Sequence, residues 1–175
     1  NLPVKTEERK QKIIMLLDDS GSMSDPLKIE WVFALLTERL KECVKGEAEV
    51  FVSKFETGVT QSRFKFHHIF DQKSYDEFKV NFKYTPNGGD TGIGYIIDYL
   101  ADEINNKKKL HNLNIDLSKD KVEILVINDG RDSIKTDKFK YKTNAVSILS
   151  SNQELKKLCL NNKGKYIYIK NEKEI

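Results

Sequence analysis

The sequence predicts an α/β fold: a three-layer sandwich with helices on both faces of a mostly parallel central sheet that has one antiparallel edge strand. Three observations lead there. An apolar run of strand length at residues 13–17 reads as a strand buried on both faces, and the mainly apolar runs at 122–127 and 145–149 read as further core strands. They alternate with longer segments whose apolar residues recur at helical spacing, which implies parallel strands joined by helices. Two further strand-like runs, 49–55 and 63–70, are separated only by the short segment 56–62, so they pair antiparallel.

Residues 1–11 read as a polar lead-in and 12–175 as the domain. The first strand covers about residues 12–17. Asp25 then caps a helix, and Pro26 suits its first position. Leu27, Trp31, Leu35, Leu36, Leu40, Cys43 and Val44 form the helix's apolar stripe, and Gly46 stops it. The strand at 49–55 follows. The run at 63–70 alternates basic and aromatic residues in its first half, as a half-exposed edge strand does. Ser74 and Glu77 have capping-box spacing and open a short helix reaching about Phe82.

The loop 85–91 (Thr-Pro-Asn-Gly-Gly-Asp-Thr) breaks the pattern. Ile93, Ile96, Ile97, Leu100 and Ile104 behind it mark one face of a helix. Residues 105–119 are polar and read as a loop. The strand at 122–127 ends in Asn128, Asp129 and Gly130. Residues 135–142 are basic and weakly patterned. A core strand at 145–149, a helix at 153–160, a turn at 161–164 and a last strand at 166–169 complete the chain.

The 175 residues suit one domain with a sizeable core. Charged residues make up 33% and hydrophobic ones 38%, an ordinary globular balance. The net charge of +3 is too small to point to nucleic acid, which is not expected as a partner. No apolar run approaches the roughly 20 residues of a membrane helix, and residues 1–12 show no signal peptide. Cys43 and Cys159 read as small core residues in a reducing compartment, although a disulfide between them is an alternative. The expected location is therefore cytoplasmic.

The chemistry gathers in three loops. Asp18, Ser20 and Ser22 alternate just after the first apolar run. Thr91, with Asp90 beside it, follows a Gly-Gly pair. Asp129 ends the strand before Gly130. If the first strand and the one at 122–127 are neighbours, the loops meet above the carboxyl edge of the sheet, at its topological switch point. Hydroxyl and carboxylate oxygens are hard ligands, suited to a magnesium-like ion. Ser20, Ser22 and Thr91 offer neutral oxygens, while Asp18 and Asp129 supply charge directly or through coordinated water. At least one position is left for an outside anion, such as an Asp or Glu of a partner.

Asp18-x-Ser20-x-Ser22 after an apolar strand, a Gly-Gly loop bearing Thr91, and a strand ending in Asp129-Gly130 resemble the von Willebrand factor A (VWA) domain with its metal-ion-dependent adhesion site (MIDAS). The resemblance covers about residues 12–170, including the order of elements and the edge hairpin. It implies a Rossmann-like sandwich and Mg²⁺ (Mn²⁺ or Ca²⁺ as substitutes) held by Ser20, Ser22 and Thr91. Asp18 and Asp129 would act mostly through water, and a partner's acidic residue would complete the shell. It also implies a protein-binding module of an intracellular assembly, not an enzyme. This chain departs from the pattern at Asp90, between Gly89 and Thr91, which either adds a ligand or shifts the threonine. Family members that switch affinity move a C-terminal helix. Residues 171–175 are too short for one, so switching by this chain alone is not expected.

Each motif also has a plainer reading. Asp18-x-Ser20-x-Ser22 is a common strand-to-helix turn, Thr91 can cap a helix, and Asp129-Gly130 can be a tight turn. Asp19 sits behind the ligands or faces solvent. His67 and His68 point to opposite faces of a strand, which argues against a joint ligand role. Trp31 reads as core. The lysines at 107–109 and in 135–142 read as solvated faces, or as a basic rim attracting an acidic partner. The competing function is a magnesium-dependent phosphohydrolase or phosphotransferase with Asp18 as nucleophile. Such enzymes need a second carboxylate two residues on, where this chain has Ser20.

Overall fold

The computed structural model describes residues 10–55, 65–86, 92–107, 115, 120–130, 132–135, 139 and 141–170; the side chains of 104–107 fall outside the description. The expected sandwich is present. A sheet in the order β3-β2-β1-β4-β5-β6 is formed by β1 (Gln11–Asp18), β2 (Ala48–Phe55), β3 (His67–Ile69), β4 (Lys121–Asn128), β5 (Lys142–Ile148) and β6 (Tyr166–Ile169). Only the β2–β3 pair is antiparallel. The helices are α1 (Pro26–Val44), α2 (Gln72–Asn81), α3 (Ile93–Lys107) and α4 (Gln153–Asn161).

The period-2 alternation of a strand splits the core in two. Ile13, Met15 and Leu17 of β1 face one side with Leu125 and Ile127 of β4, against Val32, Leu36 and Leu40 of α1 and Phe78 of α2. Ile14 and Leu16 face the other with Ile124 and Val126, against Ile93, Ile96, Ile97 and Leu100 of α3 and Leu155 and Leu158 of α4. This is why Ile13–Leu17 of β1 and Ile124–Ile127 of β4 read as unbroken apolar runs: both of their faces are covered. Cys43 and Cys159 are buried free thiols in these two separate clusters. Trp31 is partly buried against the first.

Local signals set the helix ends. Asp25 accepts from the Leu27 N–H at 2.9 Å with Pro26 next in line. Gly46, at φ +77°, ends α1 in a left-handed turn closed by its N–H to the Cys43 carbonyl at 2.9 Å. Four expected boundaries shift. The edge strand is limited to His67–Ile69, with residues 63 and 64 outside the description. The capping box of α2 is Asp71 with Ser74, not Ser74 with Glu77, because the Asp71 carboxylate takes the Ser74 N–H at 2.8 Å. Helix α3 runs on to Lys107, into the polar segment read as loop. Strand β5 begins at Lys142, where it first pairs with Glu123 of β4. His68 stacks on Phe51 while His67 meets Phe78 and Phe82, so the two histidines do lie on opposite faces.

Candidate metal centre

Strand β1 lies between β2 and β4. The chain leaves β1 for β2 on one side and returns to its other side as β4, so a crevice opens at the carboxyl ends of β1 and β4. Asp18, the last residue of β1, is fully buried there. Its Oδ1 accepts the Ser20 N–H at 2.9 Å. Its Oδ2 is buried and has no hydrogen-bond partner among the described residues. A 3-10 turn (Gly21–Ser24) then carries the chain into α1 and holds Ser22 over the same spot, with the Met23 N–H on the Ser20 carbonyl at 3.0 Å.

The hydroxyls form a chain. Ser22 Oγ donates to Asp129 Oδ1 at 2.9 Å and stands 3.1 Å from Ser20 Oγ. Four of the residues named from sequence, Asp18, Ser20, Ser22 and Asp129, thus come together. Thr91 and Asp90 lie outside the described residues. Gly92 is described, and its carbonyl accepts the Ile96 N–H at 3.0 Å in the first turn of α3. Asp19 extends the sheet by one bond, its N–H donating to the Phe55 carbonyl at 2.8 Å.

Burial pushes the Asp18 carboxyl up to about 6; hydrogen bonds from Ser20 oppose the rise and the nearby Asp129 charge adds to it. The Tyr84 phenol, which donates to the Asp18 main-chain carbonyl, is also pushed up, first by burial and then by the charges of Asp18, Asp19 and Asp129.

Sequence reasoning missed the residues that brace the cluster. Lys28, in the first turn of α1, donates to Asp129 Oδ2 at 2.6 Å and to the Ser22 carbonyl at 3.0 Å. Asn128 is fully buried and accepts from Ser147 Oγ at 3.2 Å and the Gly130 N–H at 3.3 Å. Asn152 donates to the carbonyls of Gly130 and Asp132 at 3.2 and 3.3 Å, while its Oδ1 caps α4 through the Leu155 N–H at 2.9 Å. Only the capping residue type at Asn152, directly before a helical stripe, was a usable signal for any of these.

The donor set is two carboxylates and two hydroxyls, all oxygen, around a buried carboxylate oxygen with no hydrogen-bond partner among the described residues. That set fits a hard divalent cation of the magnesium kind. Among the described residues no group of three or more His, Cys, Asp or Glu could hold a metal, so the hydroxyls of Ser20 and Ser22 are needed to make up the donor set.

No protein-family model matches the sequence, and no curated protein matches it. Solved structures do. A von Willebrand factor type A protein from Catenulispora acidiphila aligns over 93% of this chain and 39% of its own, at 15% identity and a TM-score of 0.63. The ArnB paralog VWA2 from Sulfolobus acidocaldarius aligns over 94% and 42%, at 15% identity and 0.62. The SpRpn10 VWA domain aligns over 93% and 88%, at 10% identity and 0.60. The fold is that of a von Willebrand factor A domain. At these identities it is the VWA fold that is shared, and this chain spans well under half of the first two proteins. Within the VWA fold, the Asp18–Asp129 cluster occupies the carboxyl edge of the sheet between β1 and β4.

Proposed function

We propose that this chain is a non-catalytic protein-binding module that holds Mg²⁺ at a metal-ion-dependent adhesion site and grips an acidic residue of a protein partner. The observation that carries the reading is the convergence of Asp18, Ser20, Ser22 and Asp129 beside a buried Asp18 oxygen that has no hydrogen-bond partner among the described residues. Ser20 and Ser22 present neutral oxygens, and Thr91 adds a third. Asp18 and Asp129 supply the negative charge, with Asp90 an additional candidate. Bound magnesium would supply an electrophilic position for an anionic oxygen. The protein's part is to gather oxygen donors at the carboxyl edge of the sheet, so that an Asp or Glu from outside completes the set. The free thiols of Cys43 and Cys159 suit a cytoplasmic assembly.

Calorimetric titration with Mg²⁺ and Mn²⁺ tests the site. The native chain should show saturable binding and Asp18→Ala none; equal behaviour of the two proteins would sink the proposal. Capture of a partner that survives excess EDTA would refute the proposed use. Magnesium-dependent turnover of an aryl phosphate, lost in Asp18→Asn, would favour the phosphohydrolase reading instead.

A further inference from the structure

Both oxygens of the Asp129 carboxylate are engaged: Oδ1 by Ser22 Oγ at 2.9 Å and Oδ2 by Lys28 Nζ at 2.6 Å. The Asp129 side chain is 1% exposed and that of Lys28 15%, so the pair is withdrawn from water and only weakly screened by salt. Lys28 is also held from a second side, by the Ser22 carbonyl at 3.0 Å, and Pro26 and the Asp25 cap fix the helical turn that carries it. The ammonium is therefore seated in the cluster, not passing over it.

Lys28 changes the charge balance of the site. Of the groups hydrogen-bonded together there, Asp18 and Asp129 each bring one negative charge and Lys28 one positive. Lys28 cancels one of these negative charges, so a divalent cation arriving with it in place meets a site one charge more positive than the carboxylates alone would make. That opposes the cation alone and favours it together with an anion. We propose that Lys28 is a built-in counter-ion of Asp129 that weakens divalent-metal binding on its own and strengthens it when a carboxylate binds too, so that metal and partner bind cooperatively. This rests on the metal-site reading above.

The test compares native protein, Lys28→Met and the charge-retaining Lys28→Arg. Each is titrated with Mn²⁺ in chloride and in acetate at equal ionic strength, with acetate as the carboxylate probe, and melted in EDTA and in Mn²⁺. In chloride, Lys28→Met should bind Mn²⁺ about tenfold or more tightly than native, the scale on which one desolvated charge acts on a divalent ion. Acetate should tighten the metal in the native protein and in Lys28→Arg, and do so less in Lys28→Met. In EDTA, Lys28→Met should melt several degrees lower, because a buried carboxylate has lost its counter-charge. Mn²⁺ should then raise its melting temperature by more than it raises that of the native chain. If Lys28→Met does not fold in EDTA, Lys28→Gln, which keeps a donor to Asp129, is measured in its place. A variant that binds Mn²⁺ no tighter, or responds to acetate no less, overturns the inference while native binding leaves the metal site standing. If no protein responds to Mn²⁺ in titration or melting, the metal-site reading falls, and this inference with it.

Discussion

The Gly94 N–H donates to Asp132 Oδ2 at 2.9 Å, tying the first turn of α3 to the loop that follows β4. That loop carries Asp129, and α3 begins two residues after Thr91. The first turn of α3 and the loop carrying Asp129 are therefore braced together by a bond that does not involve Asp129. The contact also needs the absence of a side chain, since a Cβ on Gly94 would stand 2.0 Å from the Ser133 carbonyl oxygen. Helix propensity alone says Gly94→Ala should stabilise by about 1 kcal/mol. The clash says otherwise, and we expect a net loss of about 2 kcal/mol, within the range for overpacking. Urea unfolding decides: a midpoint equal to or above native would show that the Ser133 carbonyl yields freely. Weaker Mg²⁺ binding should accompany the loss, because the Asp129 loop must move.

How much of this was legible in advance depended on how local its cause is. Strand β1 was readable because a strand covered on both faces must be apolar throughout, as Ile13–Leu17 is, and β4 and β5 because their runs at 122–127 and 145–149 are each broken by only one polar residue, Glu123 and Ser147. Asp18, Ser20, Ser22 and Asp129 were readable because each follows such a run, and the neighbouring of β1 and β4 then brings them together. The cap of α2 was misplaced because two overlapping segments fit the same spacing rule, and only the observed Asp71–Ser74 exchange separates them. Lys28, Tyr84 and Asn152 reach the site from α1, from the segment after α2 and from the start of α4. No short-range pattern marks a residue whose partner lies 22 to 101 positions away.

Asp18 should make the metal-free protein less stable as pH rises through the acid range. Its carboxyl ordinarily titrates at 3.8 and is pushed up to about 6 in the fold. Between these values the folded state holds more protons than the unfolded one, so stability falls with rising pH and the full penalty remains above about 6. A shift of that size corresponds to roughly 2–3 kcal/mol. Asp71, Asp76 and Glu38, whose carboxyls are lowered by their hydrogen bonds, tilt the profile the other way. The informative quantity is thus native minus Asp18→Asn, measured by urea unfolding in EDTA from pH 4 to 8. Relative to native, Asp18→Asn should gain stability as pH rises from 4 to 6.5, while losing its response to Mg²⁺. A flat difference would mean that the fold does not resist this charge.

The Tyr84 hydroxyl is the donor to the Asp18 main-chain carbonyl, and Tyr84 is 5% exposed. In Tyr84→Phe the ring is kept, with its edge contact to Phe33 and its stacking on Phe82, but a buried carbonyl loses its partner. The expected cost is about 1–3 kcal/mol. Because the phenol is held above its usual titration range near 10, the unfolded state gives up this proton first, so the native-minus-Tyr84→Phe difference should hold to about pH 9 and fall as pH rises through 10. A difference that stays flat through pH 10 to 11 would mean that Tyr84 ionises normally and is not buried against the site.

Asn152 separates capping from site support. As a helix N-cap, Asn and Asp are nearly equivalent, since either offers an oxygen to the Leu155 N–H. On capping alone Asn152→Asp would be neutral, or helped by the helix dipole. Here, however, the amide nitrogen donates to the carbonyls of Gly130 and Asp132, and Asn152 is only 3% exposed. A carboxylate would place a buried negative charge against two carbonyl oxygens beside Asp129. We expect Asn152→Asp to lose about 2–4 kcal/mol at pH 7.5, the scale for an uncompensated buried charge. Protonation restores a donor, so the introduced group titrates above its ordinary value, and the deficit relative to native should shrink as pH falls toward 4. Asn152→Ser keeps a cap oxygen and brings no charge, so its smaller deficit should not change with pH. If Asn152→Asp is as stable as native at pH 7.5, the carbonyls of Gly130 and Asp132 do not depend on this amide, and the Asp129 loop is held from elsewhere.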